Sequence, residues 1–415
     1  MRICLVYDCL FPHTVGGAER WYRNLAERLQ QDGHEVTYLT RRQWARHETP
    51  SLPGVRVLGV GPRMGLYTAG GRRRTLPPVV FGAYVLAHLA RRGRSYEVVH
   101  TASFPYFSLL AAGLMRPLGR YRLVVDWHEV WSRGYWREYL GRIGGAIGYA
   151  VQLACARLPQ RAFCFSKLHA ARLREEGLRG EVTVLEGEYA GPLQAAEPRE
   201  AEALVVFAAR MIPEKRAPAG VAGVAAAAAR IPGLRGMFFG DGPERAAVLA
   251  EIERCRARDF ISAPGFVDGA QVQDAMERAS CMLLPSSREG YGLVVIEAAA
   301  RGTPSIVVAG QDNAATELIE EGVNGTVAAD ARPETLADAI VRVHEAGFAM
   351  RRSTASWFQD NARRLSLESS LQTILDGYGP AVAGGPPVAG GPAVADGPAV
   401  ADGPAVADGP AIASE

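Results

Sequence analysis

Short runs of Val, Ile and Leu alternate with longer stretches of helical periodicity across residues 1–345, and this alternation predicts two series of strands. In the first series, residues 2–7, 35–40, 55–60, 97–100, 123–126, 162–166 and 182–185 read as strands, with a helix over 18–31. The pattern then restarts, with strands over 204–209, 234–240, 260–263, 281–285, 304–308 and 325–329. Parallel neighbours need crossover connections of this length, which place helices on both faces of a sheet. Residues 186–203 hold Gly187, Gly191, Pro192 and Pro198 and read as a linker between the series. The expected fold class is α/β: two Rossmann-like doubly wound domains facing a central cleft, over residues 1–188 and 189–378. The last helices of the second domain are free to pack back on the first.

The end of the chain differs in kind. From Gly379 a Gly-Pro pair recurs every six residues, at 379, 385, 391, 397, 403 and 409, separated by Ala-Val-Ala-Asp or close variants. Proline at that spacing blocks helix and ladder formation, and Ala and Val alone offer little to bury. Residues 379–415 are expected to be a disordered tail without chemistry.

Composition adds to this picture mainly through charge. The net charge is only +2, but residues 1–190 carry 27 basic against 15 acidic side chains, leaving 19 against 29 in the remainder. A basic first half can face phosphates or anionic lipid headgroups. Nucleic acid is not an expected partner, because no recognition motif accompanies the charge. The six cysteines form no CxxC pair and show no zinc-type spacing with histidine, so they read as buried free thiols suited to a reducing compartment. The chain opens directly on a strand pattern without a signal peptide, and its longest apolar run, 76–90, is too short to span a bilayer. A cytoplasmic location follows as an expectation. Arg72-Arg73-Arg74 and Arg91-Arg92 flank that run, so peripheral contact at the inner membrane face is a second expectation, beside the plainer one of a sheet-covering helix.

The most informative segment is Leu284-Pro285-Ser286-Ser287-Arg288-Glu289-Gly290-Tyr291-Gly292-Leu293-Val294-Val295-Ile296-Glu297. A strand ends at Pro285, a turn with two glycines follows, and an apolar helix opens near Leu293. Free N–H groups at Gly292, Leu293 and Val294, together with the helix dipole, make an anion site, and glycine lets a diphosphate approach the backbone. Glu289 in the turn and Glu297 one helical turn later can accept hydrogen bonds from sugar and ribose hydroxyls. The alternative is that both merely favour a helix N-terminus electrostatically. After the strand at 204–209 comes Arg210-Met211-Ile212-Pro213-Glu214-Lys215, where two cations flank a proline turn and can meet charge developing on a departing diphosphate. Only two lysines occur among 46 basic residues, and Lys215 is one of them. Weaker signals are Gly16-Gly17 before the first helix, Gly240-Asp241-Gly242-Pro243-Glu244, which reads as opening a helix at Pro243, and Gly265-Phe266-Val267, where backbone groups can meet a base.

Taken in order, these segments resemble family 4 of the glycosyltransferases, a retaining group with the GT-B fold. The residues that carry the resemblance are Gly16-Gly17-Ala18-Glu19-Arg20, Arg210 with Pro213-Glu214-Lys215, Gly240–Glu244, Gly265-Phe266-Val267, the E-x7-E pair Glu289 and Glu297, and Glu317-Leu318-Ile319 with Gly322-Val323-Asn324-Gly325. The resemblance covers about residues 1–375. It implies transfer of a sugar from a nucleotide-diphosphate donor, UDP-linked ahead of GDP-linked, to a glycan, glycolipid or other hydroxyl acceptor. Arg210 and Lys215 would hold the diphosphate, Glu289 the transferred sugar and Glu297 the ribose. Gly16 and Gly17 would face the phosphates, and Gly290, Tyr291, Gly292, Leu293 and Val294 would complete the donor turn. His128, in Val124-Val125-Asp126-Trp127-His128-Glu129, would look toward the sugar, although on its own residues a packed histidine is as good a reading. The nucleotide sugar is a co-substrate; no cofactor and no metal are expected, because the chain lacks an Asp-x-Asp motif and Arg210 and Lys215 supply positive charge. One departure is visible: Arg216 stands where family members often have glycine. Trp127, Trp131, Tyr135, Trp136 and Tyr139 line either the acceptor side or the core. Two other classes remain open, a nucleotide-sugar 2-epimerase of the same architecture and a non-catalytic nucleotide-sugar-binding partner.

Overall fold

The computed structural model describes residues 1–14, 16–45, 48, 50–66 and 74–379. The Gly-Pro repeat from residue 380 onward, with Arg72 and Arg73 of the basic flank, lies outside the described residues.

Seven strands, β1 (Arg2–Val6), β2 (Glu35–Arg41), β3 (Arg56–Val60), β4 (Val98–Ala102), β5 (Arg122–Trp127), β6 (Arg161–Cys164) and β7 (Val182–Val184), form one sheet. Its order is β3-β2-β1-β4-β5-β6-β7, and every pairing is parallel. The second series supplies β8 (Glu202–Ala208), β9 (Arg235–Phe239), β10 (Ile261–Gly265), β11 (Ala279–Leu284), β12 (Arg288–Glu289), β13 (Ser305–Val308), β14 (Asp312–Asn313) and β15 (Gly325–Ala328). Six of these form a second parallel sheet in the order β10-β9-β8-β11-β13-β15, while β12 and β14 pair apart from it. Each predicted strand is present with its ends moved by one or two residues. The two-residue strands β12 and β14 are too short to leave a sequence pattern.

The helices of the first half are α1 (Gly17–Gln31), α2 (Leu76–Arg92), α3 (Phe107–Gly119), α4 (Arg133–Ala156) and α5 (Lys167–Glu175). Those of the second are α6 (Ala217–Ala228), α7 (Arg245–Arg254), α8 (Gly269–Arg278), α9 (Leu293–Ala299), α10 (Pro333–Asn361) and α11 (Leu367–Tyr378). Side chains alternate across each strand, so one strand feeds two cores. In β1, Ile3 and Leu5 pack on one face while Cys4 and Val6 pack on the other. In β8, Val205 and Phe207 oppose Leu204 and Val206 in the same way. Burial on both faces explains why these strands read as continuous apolar runs.

The arginine-flanked run is α2. It packs along α3 and buries Phe81, Val85 and Leu89 in the protein interior, while Leu76, Val79 and Tyr84 stay exposed. Among the described residues no helix is long and apolar enough to cross a membrane. Five of the six thiols are buried and Cys255 is partly so; burial pushes Cys4 and Cys281 up to about 12, which leaves them unreactive.

The chain returns to the first sheet at its end. The Tyr378 hydroxyl in α11 lies 2.6 Å from His100 Nδ1, and the opposite ring nitrogen lies 2.8 Å from Asp126 Oδ1. Trp21 Nε1 of α1 donates to Asp126 Oδ2 at 2.8 Å. Burial opposes the charge on Asp126, but His100 and Trp21 outweigh it and hold the carboxyl below its ordinary range.

Candidate active site

Strand order reverses between β1 and β4 in one sheet and between β8 and β11 in the other, which is where doubly wound sheets open a ligand crevice. The loops leaving β8 and β11 meet at such a point. Ser287 N–H donates to the Glu214 carbonyl at 2.8 Å, stapling one loop to the other. Across that staple, Lys215 Nζ lies 2.5 Å from Glu289 Oε1, which also accepts from Ser286 Oγ at 2.7 Å. Glu289 sits in β12, paired with β14, and Asn313 of β14 anchors the turn by donating to the carbonyls of Ser286 and Val308 at 3.1 and 2.7 Å. A lysine and a nearly buried carboxylate, 74 residues apart in sequence, are therefore held together by backbone rather than by each other.

Arg210 is exposed and makes no side-chain hydrogen bond or ion pair among the described residues. Lys215 closes a short 3-10 turn, and Arg216 after it adopts the left-handed conformation at φ 49°. The loop therefore keeps the path that a glycine would take, at a strain of roughly 1–2 kcal/mol for a residue with a Cβ. The departure from glycine at 216 does not displace Lys215.

His128 follows β5 and stacks on Phe165 at 4.4 Å, with the Tyr22 ring edge-on at 6.2 Å. Its Nε2 is buried without a hydrogen-bond partner, and burial pushes the imidazole down to about 4, so it is neutral at ordinary pH. Gly290 abuts its backbone: a Cβ there would stand 2.7 Å from the His128 carbonyl oxygen. The structure thus joins Lys215 to Glu289 and sets the backbone of His128 against the same turn, with the His128 ring packed on Phe165 and Tyr22.

The remaining predicted residues fall around this centre unequally. Gly292 caps α9 with φ 106°, and α9 runs for only seven residues, so its dipole is a smaller contributor than a long helix would give. Tyr291 turns away from the turn and donates to the Glu186 carbonyl at 2.6 Å, while Leu293 and Val294 pack partly into the core; these three can offer backbone but not side chains. Burial pushes Glu297 up, opposed by Arg301 and by Arg20 of α1, which puts the start of α1, with Gly16 and Gly17, on the Glu297 side of the cleft. Space beside Gly17 is open. Gly265, Phe266 and Val267 reach the centre only through an intermediary: Gly240 N–H donates to the Gly265 carbonyl, and Met211 N–H donates to Asp241. Phe266 is 83% exposed and Val267 packs against the sheet. Helix α7 begins at Arg245, two residues later than predicted, because Gly242, at φ 150°, must first pass the Met211 carbonyl.

Two family profiles match consecutive parts of this chain. Residues 15–187 match the profile described as glycosyltransferase family 4, and residues 193–363 match glycosyl transferases group 1. The chain belongs to the family 4 glycosyltransferases. Among curated relatives, glycogen synthase of Mycobacterium tuberculosis is 24% identical over 396 residues, covering 90% of this chain and 92% of that protein. An exopolysaccharide phosphotransferase of Streptomyces coelicolor is 30% identical over 143 residues, which span 34% of this chain but only 14% of that protein. Among solved structures, sucrose-phosphate synthase from Thermosynechococcus elongatus superposes with TM-score 0.72 at 19% identity, over 91% of this chain and 98% of the other. Anabaena HepE, solved in complex with UDP and glucose, superposes with TM-score 0.65 at 18% identity, over 91% and 99%. These structural likenesses establish the GT-B fold.

Within this family 4 glycosyltransferase the structure adds residues that sequence reading passed over. Arg288 pairs with Glu129 and lies 3.5 Å from Glu214, and its guanidinium sits 4.4 and 5.0 Å from the ring centroids of Tyr135 and Trp131. The Tyr135 hydroxyl donates to Glu214 at 2.6 Å. Ser132 and Arg172 both bond Asp312, at 2.9 and 2.6 Å, and the Glu317 carboxylate accepts from the Lys167 and Leu168 amides that open α5. Apart from the approach of Arg288 to Glu214, each of these contacts joins the first half of the chain to the second. Their signal in sequence was adjacency alone: Arg288 precedes Glu289 and Glu129 follows His128. Of the five aromatic residues, Trp127 and Trp136 are core, Tyr135 is nearly buried, and only Trp131 and Tyr139 keep partial exposure. Glu188, in the linker, is pushed up to about 7 by burial and by Asp126.

Proposed function

We propose that this enzyme transfers a sugar, with retention of configuration and without a metal, from a nucleotide-diphosphate donor to a hydroxyl of a glycan or lipid-linked acceptor. The observation that carries the reading is the Lys215–Glu289 pair at the joined ends of β8 and β11, with Arg210 exposed in the same loop as Lys215. A donor diphosphate entering there offers Lys215 a stronger partner than a single carboxylate. Lys215 then turns to the phosphates with Arg210, and Glu289 is released to accept hydrogen bonds from the sugar. As the glycosidic C–O bond breaks, the two cations meet the charge that develops on the leaving diphosphate, which is the step they most accelerate. The leaving phosphate oxygen takes the acceptor's proton, so no second carboxylate is required as nucleophile. In this reading His128, neutral and stacked on Phe165, gives its buried, unpartnered Nε2 to the transferred sugar once donor binding uncovers it. Glu297 receives the ribose, and the Gly265-Phe266-Val267 turn, where Phe266 is exposed, receives the base. UDP is favoured over GDP because the HepE structure was solved with UDP.

A thermal-shift screen against UDP-, GDP- and ADP-sugars tests the donor. A shift with one nucleotide class, lost in Lys215→Ala and Glu297→Ala, is the expected result; equal shifts in those variants would overturn the site. Retention is read from the anomeric configuration of the product by NMR, and metal independence from activity that survives EDTA. A rearranged nucleotide sugar formed without acceptor would mark an epimerase instead.

A further inference from the structure

Helix α4 is two helices in one. Ser132 Oγ caps its start by accepting from Tyr135 N–H at 3.1 Å, and the helix runs regularly until Gly141, whose φ of 75° and ψ of −178° break it. The second segment folds back over the first. A Cβ at Gly145 would stand 2.5 Å from the Trp136 carbonyl oxygen, and one at Gly148 would enter the Trp136 ring. Glycines at these two positions let the hairpin close on Trp136.

The tip of this hairpin is apolar and uncovered. Leu140 is 38% exposed, Ile143 80% and Ile147 62%; the two isoleucines stand four residues apart, on one face of the second segment. Two exposed arginines, Arg137 and Arg142, stand on either side of the break at Gly141, with the exposed Glu138 between them, and neither arginine makes an ion pair among the described residues. An apolar ridge flanked by unpaired guanidinium groups matches the interface of an anionic bilayer, where aliphatic side chains enter the acyl boundary and arginines meet lipid phosphates. A second copy of the same face fits less well, because a symmetric contact would oppose cation to cation. The sequence pattern placed membrane contact on residues 76–90, where α2 spends Phe81, Val85 and Leu89 on the core and keeps Leu76, Val79 and Tyr84 exposed.

We propose that the α4 hairpin tip is a docking surface for anionic membrane, with Ile143 and Ile147 inserting and Arg137 and Arg142 binding headgroup phosphates. The tip is one helical turn from Tyr139, whose ring contacts Trp131 at 5.2 Å beside Arg288. Docking there sets the cleft against the lipid surface, which suits a lipid-linked acceptor; that last clause rests on the proposed function, whereas the docking itself does not.

The test is co-sedimentation of the full chain with phosphatidylglycerol-containing and pure phosphatidylcholine vesicles, at low and high salt. Binding is expected only to the anionic vesicles, and it should fall at high salt. Ile143→Ser with Ile147→Ser should lower the partition coefficient about tenfold, and Arg137→Gln with Arg142→Gln by roughly fivefold for each charge removed. Both double variants should keep the wild-type melting temperature. Equal binding to neutral vesicles, or wild-type binding by both variants, overturns the proposal. So does lipid-free dimerisation that the isoleucine variant abolishes, since the occupant is then a second copy. No nucleotide sugar enters this assay, so failure of the donor screen and failure of docking remain distinguishable.

Discussion

The contact between Arg288 and Glu129 should carry a large share of the stability with which the two halves of the cleft hold together, and Arg288→Met tests this. The guanidinium is nearly buried; burial pushes it down to about 10, so it stays charged at neutral pH. Its removal leaves Glu129 and Glu214 facing one another with side-chain exposures of 25% and 18%. Breaking a fully buried pair costs about 3–5 kcal/mol. Here Trp131 Nε1 still donates to Glu129 at 2.7 Å and Tyr135 still donates to Glu214, so part of that cost is avoided. Stacking on two rings adds about 0.5–1 kcal/mol for each. A net loss of about 2–3 kcal/mol follows, or roughly 4–12 °C in melting temperature at about 2–4 °C per kcal/mol. A urea-denaturation cycle with Glu129→Gln should return a coupling of about 1–2 kcal/mol, within the range for residues in contact. Hydrogen exchange should accelerate first at 129–135 and 286–289, on both sides of the contact. Additivity of the two substitutions to within about 0.3 kcal/mol would refute the reasoning.

Four further outcomes can be checked by denaturation alone. Glu188→Gln should flatten part of the pH dependence of stability: the folded-state pKa of Glu188 lies at about 7 against an ordinary 4.5, so its contribution is full below about 4.5 and is lost as pH rises through 7. The variant should therefore gain on wild type by up to about 3 kcal/mol at pH 8 relative to pH 4, and a pH-independent difference would count against burial of that carboxyl. His128 runs the other way, because its depressed pKa of about 4 gives stability that is present above 6.5 and lost as pH falls through 4; His128→Asn should remove that acid-side loss. Gly292→Ala should destabilise by about 1–3 kcal/mol, since φ is 106° and the new Cβ would stand 2.7 Å from Ala315 Cβ; unchanged stability would contradict the left-handed cap. Arg351→Met should cost about 3 kcal/mol or more, because the buried guanidinium donates to the carbonyls of Ala279, Glu277 and Arg301, which then lose their partner; a loss below about 1 kcal/mol would show that water replaces it.

The sequence by itself determined the two parallel sheets, because strands buried on both faces must be apolar runs and crossover helices must separate them. It also singled out the loops that hold the candidate site residues. Glu289, Lys215 and Arg210 stood out because glycine, proline and charge at strand ends have few structural uses. What it could not supply was pairing across the cleft. Lys215 meets Glu289 only because β8 and β11 are neighbours in the sheet order, and Arg288 meets Glu129 only because the two domains close on each other. Burial was equally out of reach: within one apolar and basic run α2 buries Phe81, Val85 and Leu89 but exposes Leu76 and Val79, and the α4 tip leaves Ile143 and Ile147 uncovered. A residue's type and its near neighbours are local properties of the chain. Its partner across 74 or 159 residues, and the side of a helix that water reaches, are properties of the packed whole.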